Sequence, residues 1–228
     1  MWITIKNLIL DVLFPKFCLN CQREGNYLCQ DCQELLEISG FHQNYPAQNL
    51  GDLYFAVDYK NTLIKKIIKL FKYEPLVKEL GKTLSSLVIT HFQLMDQKPN
   101  FYPGPKLGRG SADFILIPVP LGKKRLKWRG FNQAEELGKE LAVFFRIPLI
   151  SNCLVKIKET FPQVKLTDEA RKENVKGVFS IENKELIKNK NILLIDDVYT
   201  TGTTLQECAG VLKKAGAKKI IGIVIARG

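Results

Sequence analysis

Two adjacent acids followed by hydroxyls and a glycine, Asp196-Asp197-Val198-Tyr199-Thr200-Thr201-Gly202-Thr203-Thr204, carry the most explicit chemistry in this sequence. Threonine hydroxyls and backbone N–H groups donate to anionic oxygens, and a hydrogen bond to a charged group contributes about 1.5–3 kcal/mol. Glycine lets the backbone approach a ligand closely. The acids would repel a phosphate, so they need a separate task. Groups that only accept hydrogen bonds suit sugar hydroxyls. Phosphate donors placed after two hydroxyl acceptors describe a site for ribose 5-phosphate. Threonines also cap helices, but two acids, four threonines and a glycine within nine residues exceed what a cap requires.

These groups matter only where the chain delivers them. Asn191 to Ile195 (NILLI) is a continuous apolar run, the pattern of a strand buried on both faces. Thr203 to Ala215 has apolar residues at helical spacing, and Gly216 follows as a helix stop. The motif therefore falls between the carboxyl end of a strand and the start of a helix. Ligands of open α/β sheets sit in that position, and the helix start adds N–H groups and partial positive charge that favour phosphate.

A second candidate is cationic. Lys123, Lys124, Arg125, Lys127 and Arg129 crowd into seven residues after the apolar run DFILIPVP, with Trp128 and Phe131 beside them. A basic turn at that point would stabilise a departing pyrophosphate. It would equally suit a nucleic-acid backbone with bases stacked on the aromatic rings, or be a solvated loop anchored by them.

A third is a cysteine knot. Cys18-x-x-Cys21 and Cys29-x-x-Cys32 are two pairs separated by seven residues. Four thiolates suit a closed tetrahedral structural zinc site. So short a segment has too little core to fold unaided, and metal ligation, worth about 10–16 kcal/mol in zinc-finger peptides, would supply the difference. Iron in the same ligands and two disulfides are the alternatives. Cys153 and Cys208 stand alone and read as core residues. Neither His42 nor His91 has a persuasive catalytic partner in the sequence.

The remaining chain supplies the frame. Residues 2–13 pattern as a short amphipathic helix ended by Pro15. Residues 53–59 read as a strand. Residues 61–73 form a helix with Ile64, Ile67, Ile68 and Phe71 on one face and Lys65, Lys66, Lys69 and Lys72 elsewhere. A second helix is expected at about 76–92 and a loop at 95–112. A buried strand follows at 113–120, a helix from Asn132 to Phe145, a polar hairpin-like flap at about 153–180, and a last strand from Lys219 to Ala226. Apolar strands alternating with amphipathic helices imply an α/β fold with a parallel sheet covered on both faces. Two domains are expected: residues 1–50 with the cysteines, and residues 51–228. No apolar run approaches the length of a membrane span, and the N-terminal stretch lacks the features of an export signal, so a cytoplasmic location is expected. The chain carries a net +11, but residues 1–59 hold only Lys6, Lys16 and Arg23 against seven acids. The excess positive charge lies beyond residue 59 and favours anionic partners, either phosphorylated small molecules or nucleic acid.

LLIDDVYTTGTTL (Leu193–Leu205) resembles the fingerprint of the type I phosphoribosyltransferases. That resemblance implies binding of phosphoribosyl pyrophosphate (PRPP) with Mg²⁺. The hydroxyls of its ribose would be held by Asp196 and Asp197, and its 5-phosphate by the loop through Thr204. Specificity would lie in the hood of that fold, here about residues 50–80 and the flap. The four cysteines, the segment RGFNQAEELGKELA (Arg129–Ala142), and the pattern Lys156-x3-Thr160-x-Pro162-Gln163 followed by Arg171-x2-Asn174-x2-Gly177-x-Phe179 occur in an order that resembles the ComF (ComFC-like) proteins. Thr203 departs from the alanine common in relatives. The family implies a role in natural transformation, handling single-stranded DNA in the cytoplasm beside a helicase-like competence ATPase. A catalytically active phosphoribosyltransferase with an unknown acceptor is the alternative.

Overall fold

The computed structural model describes residues 15–45, 48–73, 77–103, 113–159 and 176–228. The expected helix at 2–13, the second half of the expected loop at 95–112 (residues 104–112) and the middle of the flap (160–175) lie outside them.

In order, the elements are α1 (Gln30–Glu34), β1 (His42–Asn44), β2 (Asp52–Asp58), α2 (Thr62–Lys72), α3 (Leu80–Leu94), β3 (Phe114–Pro118), α4 (Lys123–Arg129) and α5 (Gln133–Phe145). They continue with β4 (Leu154–Lys156), β5 (Phe179–Ile181), a 3₁₀ turn at Lys184–Leu186, β6 (Asn191–Ile195), β7 (Val198–Tyr199), α6 (Thr203–Lys214) and β8 (Lys219–Arg227). The main sheet has the order β1-β2-β8-β6-β3, with β7 beside the end of β8. Every pairing from β2 to β3 is parallel, and only β1 runs antiparallel, on the β2 edge. This is the α/β parallel sheet the alternation implied.

The strands sort their side chains by parity. Phe114, Leu116, Leu193, Ile195, Ile221, Ile223 and Ile225 face one core, which α2, α3 and α5 cover. Ile115, Ile117, Ile192, Leu194, Ile220 and Val224 face the other, covered by α6 and the β4–β5 hairpin. Burying such a side chain contributes about 1.5–3 kcal/mol, so a one-residue slip of register would exchange the two faces at large cost. The expected apolar face of α2 is fully realised, with Ile64, Ile67, Ile68 and Phe71 buried. Asn61 caps that helix by accepting from the Leu63 and Ile64 N–H groups. Leu28, Leu36, Cys18, Cys29 and Cys32 belong to the same apolar cluster as α3.

Two features differ from expectation. The basic segment is the helix α4 rather than a loop, ended by Gly130 in the left-handed region at φ 79°. Five of its seven residues are Lys or Arg with high helix propensity, joined by Leu126, and no Gly or Pro interrupts them. The strands β1 and β7 are too short for an alternation pattern to register in sequence; pairing with β2 and β8 defines them.

Candidate functional site

The strand β6 ends at Ile195 and hands the two acids to the carboxyl edge of the sheet. Their backbone is sewn to β8: the Asp196 N–H donates to the Ile223 carbonyl at 3.1 Å, and the Asp197 carbonyl accepts from the Ile225 N–H at 3.0 Å. Asp196 stays half-buried and Asp197 is buried. The chain then turns at Gly202, which caps α6 with φ 74° and offers no side-chain acceptor to the helix start. A Cβ at Gly202 would stand 2.2 Å from the Tyr199 hydroxyl, so the turn admits only glycine. The Thr201 and Thr203 hydroxyls are 2.8 Å apart across it. Val198 packs on the first core and Tyr199 lies in the second, 6.1 Å from the Tyr45 ring. Within the predicted nine residues, these two therefore border the loop through their backbone, while Thr200, Thr201, Thr203 and Thr204 surround the helix start.

The acids are not solvated. Lys72, at the end of α2, places its Nζ 2.7 Å from Asp197 Oδ1. Burial disfavours the Lys72 charge, but the pair with Asp197 and the nearby Asp196 outweigh it and raise its pKa above the usual lysine value. For Asp196, burial comes first and the Asp197 charge second; Lys72 and Lys156 oppose them, and the carboxyl is pushed up to about 7. Lys156, on β4, shifts the other way. Burial lowers its pKa, helped by Arg125 and opposed by Glu159 and Asp196. Helical periodicity alone groups Lys72 with the outward lysines of α2. Lys65, Lys66 and Lys69 are indeed exposed, and Lys72 is the exception.

The five cations of α4 also divide. Lys123, Lys124 and Lys127 are exposed, and Trp128 is half-exposed beside them. Arg129 turns inward instead. Its guanidinium donates to Gln133, whose amide donates to the Phe71 carbonyl at 3.0 Å. It lies 5.9 Å from the Tyr73 ring, and burial lowers its pKa while Asp197 opposes the shift. Arg129 is thus tied to the end of α2 that carries Lys72. At the other end of α4, the Glu159 carboxylate receives the Lys124 N–H at 3.1 Å. A Cβ at Gly122 would meet that carboxylate at 2.7 Å. Glu159 was not singled out by the sequence; nothing in its local pattern marks it.

The four cysteines converge independently of the acids. The Sγ atoms of Cys18, Cys21, Cys29 and Cys32 all lie within 4.8 Å of one another, and all four are free thiols. A tetrahedral zinc site with ~2.3 Å Zn–S bonds separates its sulfurs by ~3.8 Å, so the set fits such an ion. The Cys18 and Cys21 knuckle is a tight hairpin closed by the Phe17–Glu24 bridge, and Cys29 and Cys32 sit at the start of α1. Burial works against the Cys18 thiolate, but the N–H groups of Cys29, Cys21 and Asn20 outweigh it and lower its pKa to about 6. This cluster can hold a metal ion. The histidines lie elsewhere: His42 stacks on Tyr54 at 4.9 Å, and His91 is buried against Tyr54 and Phe92.

Residues 129–228 match the family described as the phosphoribosyl transferase domain, which spans the acids, the Gly202 turn and the inward Arg129. The whole chain has a nearer likeness. It is 38% identical over 223 residues to competence protein F of Haemophilus influenzae, covering 89% of this chain and 93% of that protein. The chain belongs to the ComF family. Another similar protein is competence protein ComFC of Bacillus subtilis, 34% identical over 45% of this chain and 40% of that one. The DNA utilization protein YhgH of Escherichia coli is 31% identical over 46% of this chain and 45% of its own length. A solved structure of the allosteric regulatory enzyme of purine biosynthesis aligns with 64% of this chain and 24% of its own at TM-score 0.34 and 20% identity, too distant to bear on function. In ComF terms, the structure is a phosphoribosyltransferase-type sheet with a four-cysteine cluster packed on one of its cores. Among the described residues, no helix is long and apolar enough to cross a membrane.

Proposed function

We propose that this ComF-family protein binds PRPP with Mg²⁺ at the carboxyl edge of its sheet and acts in the uptake and processing of single-stranded DNA in the cytoplasm. The observation that carries the ligand reading is the glycine-capped start of α6, which directly follows Asp196 and Asp197. The 5-phosphate is received by the N–H groups and hydroxyls from Thr200 to Thr204. Asp196 and Asp197 accept from the ribose hydroxyls, and Lys72, Lys156 and the start of α4 would hold the pyrophosphate, whose charge Mg²⁺ would help to neutralise. The names of the relatives, a competence protein and DNA utilization proteins, support the DNA role. The exposed Lys123, Lys124 and Lys127 beside Trp128 supply a face for the strand. A helicase-like competence ATPase is its partner, and zinc is the structural metal of the cysteine cluster.

The test is a thermal shift with PRPP and Mg²⁺. Binding to the folded state alone at a hundredfold excess over Kd stabilises by about 2.7 kcal/mol. A wild-type protein that does not respond, or an Asp196→Asn/Asp197→Asn protein that responds equally, would remove the reading.

Active phosphoribosyl transfer is a second reading, favoured by the cations grouped around the acids. In that reaction a nucleophile on the acceptor forms a bond to C1 of the ribose as the C1–O bond to pyrophosphate breaks, and charge stabilisation supplies the rate. It requires acceptor-dependent release of pyrophosphate; a broad panel of bases, amines and oligonucleotides that yields none would leave binding alone.

A further inference from the structure

Two exposed aromatic rings from different helices meet at Arg129. Tyr73 follows the last turn of α2 and is 43% exposed, and Trp128 stands in the last turn of α4 and is 51% exposed. The Arg129 guanidinium carbon lies over both rings, 5.9 Å from the Tyr73 centroid and 6.0 Å from that of Trp128. These distances are at the outer limit of a cation–π contact. The guanidinium thus gathers the rings without covering them, and each stays open to a partner.

Each ring ends a row of cations. Lys65, Lys69 and Tyr73 recur at four-residue spacing along α2, as Lys124 and Trp128 do on α4. Lys65, Lys66, Lys69, Lys123, Lys124 and Lys127 are exposed, and none pairs with an acid among the described residues. Lysines in water need no further explanation, but two rings turned outward where their helices meet do. Charge for phosphates and flat faces for bases are the two contacts that hold a single strand. A duplex keeps its bases covered and offers the rings nothing. The position is also telling. Arg129 is bonded through Gln133 to the Phe71 carbonyl, and the next residue, Lys72, reaches Asp197. The rings therefore stand at the rim of the sheet edge that carries the acids.

We propose that Tyr73 and Trp128 form a stacking site for an unpaired nucleobase, whose flanking phosphates lie on the lysines of α2 and α4. The site rests on the nucleic-acid part of the reading above and extends it from α4 to α2. It is separate from the phosphate loop.

The test measures affinity for a short oligothymidylate across a range of salt. Tyr73→Leu/Trp128→Leu is expected to weaken binding by about ten- to a hundredfold, the loss of stacked bases, with an unchanged slope of log affinity against log salt. Tyr73→Phe/Trp128→Phe should restore most of the affinity. Lys65→Ala/Lys69→Ala should instead make the slope shallower. Replacing the bases by abasic sugars should weaken wild-type binding and leave the Leu pair unaffected. The proposal fails if the wild type holds the abasic oligomer as tightly, if the Leu pair binds like the wild type, or if a duplex of equal length binds as well as the strand. Thymidine that binds the wild type and not the Leu pair would mark the site as one for a free base; binding confined to the oligomer would mark a base within a strand. Both results support a nucleobase site. A wild type that binds neither ligand would overturn this site and the strand reading together, whereas strand binding insensitive to the two rings would overturn this site alone.

Discussion

The Lys72 ammonium, at the last turn of α2, lies 2.7 Å from the Asp197 carboxylate that follows β6. One of the two acids assigned to the ligand is thus already paired. Ribose and Mg²⁺ would meet a carboxylate held in place, and a lysine that can turn from it toward the pyrophosphate. Removing one partner of a buried pair leaves an uncompensated charge, which costs about 3–5 kcal/mol. Lys72→Met is therefore expected to destabilise the protein by about 3 kcal/mol at pH 7 and to weaken PRPP binding. Lys72→Met/Asp197→Leu should recover most of the stability and none of the binding. Urea denaturation and calorimetric titration check the two halves separately.

The Asp196 carboxyl, pushed up to about 7, gives stability a definite slope with pH. Its folded pKa is above the unfolded value near 4, so the folded state holds the proton more tightly. Stability from this group is fully present below about pH 4 and is lost as pH rises through 7. Asp196→Asn is expected to stabilise the ligand-free protein by about 1–3 kcal/mol at pH 8 and to leave it nearly unchanged near pH 4. The ionised carboxylate is the stronger acceptor for the ribose hydroxyls, so PRPP should bind more tightly, by up to about tenfold, at pH 8 than at pH 6 in the wild type. That pH dependence should be lost in Asp196→Asn, measured by titration at constant ionic strength.

Gly202 combines φ 74° with a Cβ position 2.2 Å from the Tyr199 hydroxyl. Gly202→Ala must move Tyr199 or unwind the start of α6, at a cost of about 2 kcal/mol. Ribose 5-phosphate should lose at least tenfold in affinity. Tyr199→Phe should not recover the stability, because the ring carbons Cζ and Cε2 would still stand 2.3 and 2.5 Å from that Cβ.

Glu159 sets its carboxylate against Gly122 and the Lys124 N–H, where an incoming pyrophosphate would compete with it. Glu159→Gln is expected to tighten pyrophosphate binding several-fold and to leave ribose 5-phosphate unaffected. Equal effects on both ligands would place Glu159 outside the pyrophosphate end.

The cysteine cluster contributes Cys18, Cys29 and Cys32 to the same core as α3. One zinc per chain is expected by elemental analysis. Chelation, or Cys29→Ser, should lower the melting temperature of the whole protein by several degrees, since about 1 kcal/mol shifts Tm by about 2–4 °C at this size. A separate low-temperature transition with an unchanged main one would show that the module melts alone.

The sequence by itself determined the parallel sheet, the apolar face of α2, the four-cysteine set and the order of acids, glycine and threonines, because each is written in neighbouring residues. Burial of NILLI on both faces and the left-handed turn at Gly202 follow from local chemistry alone. Tertiary structure decided which cation serves the acids. Lys65, Lys69 and Lys72 share one helical face, and only the crossing of the α2 end over the β6 edge turns Lys72 inward while the others stay in water. Arg129 leaves its basic neighbours for the same reason: Gln133 and the Phe71 carbonyl form a buried anchor that exists only once α2 and α5 have packed. Charge pairing across such distances depends on how helices lie against the sheet, and no local pattern of residues encodes that.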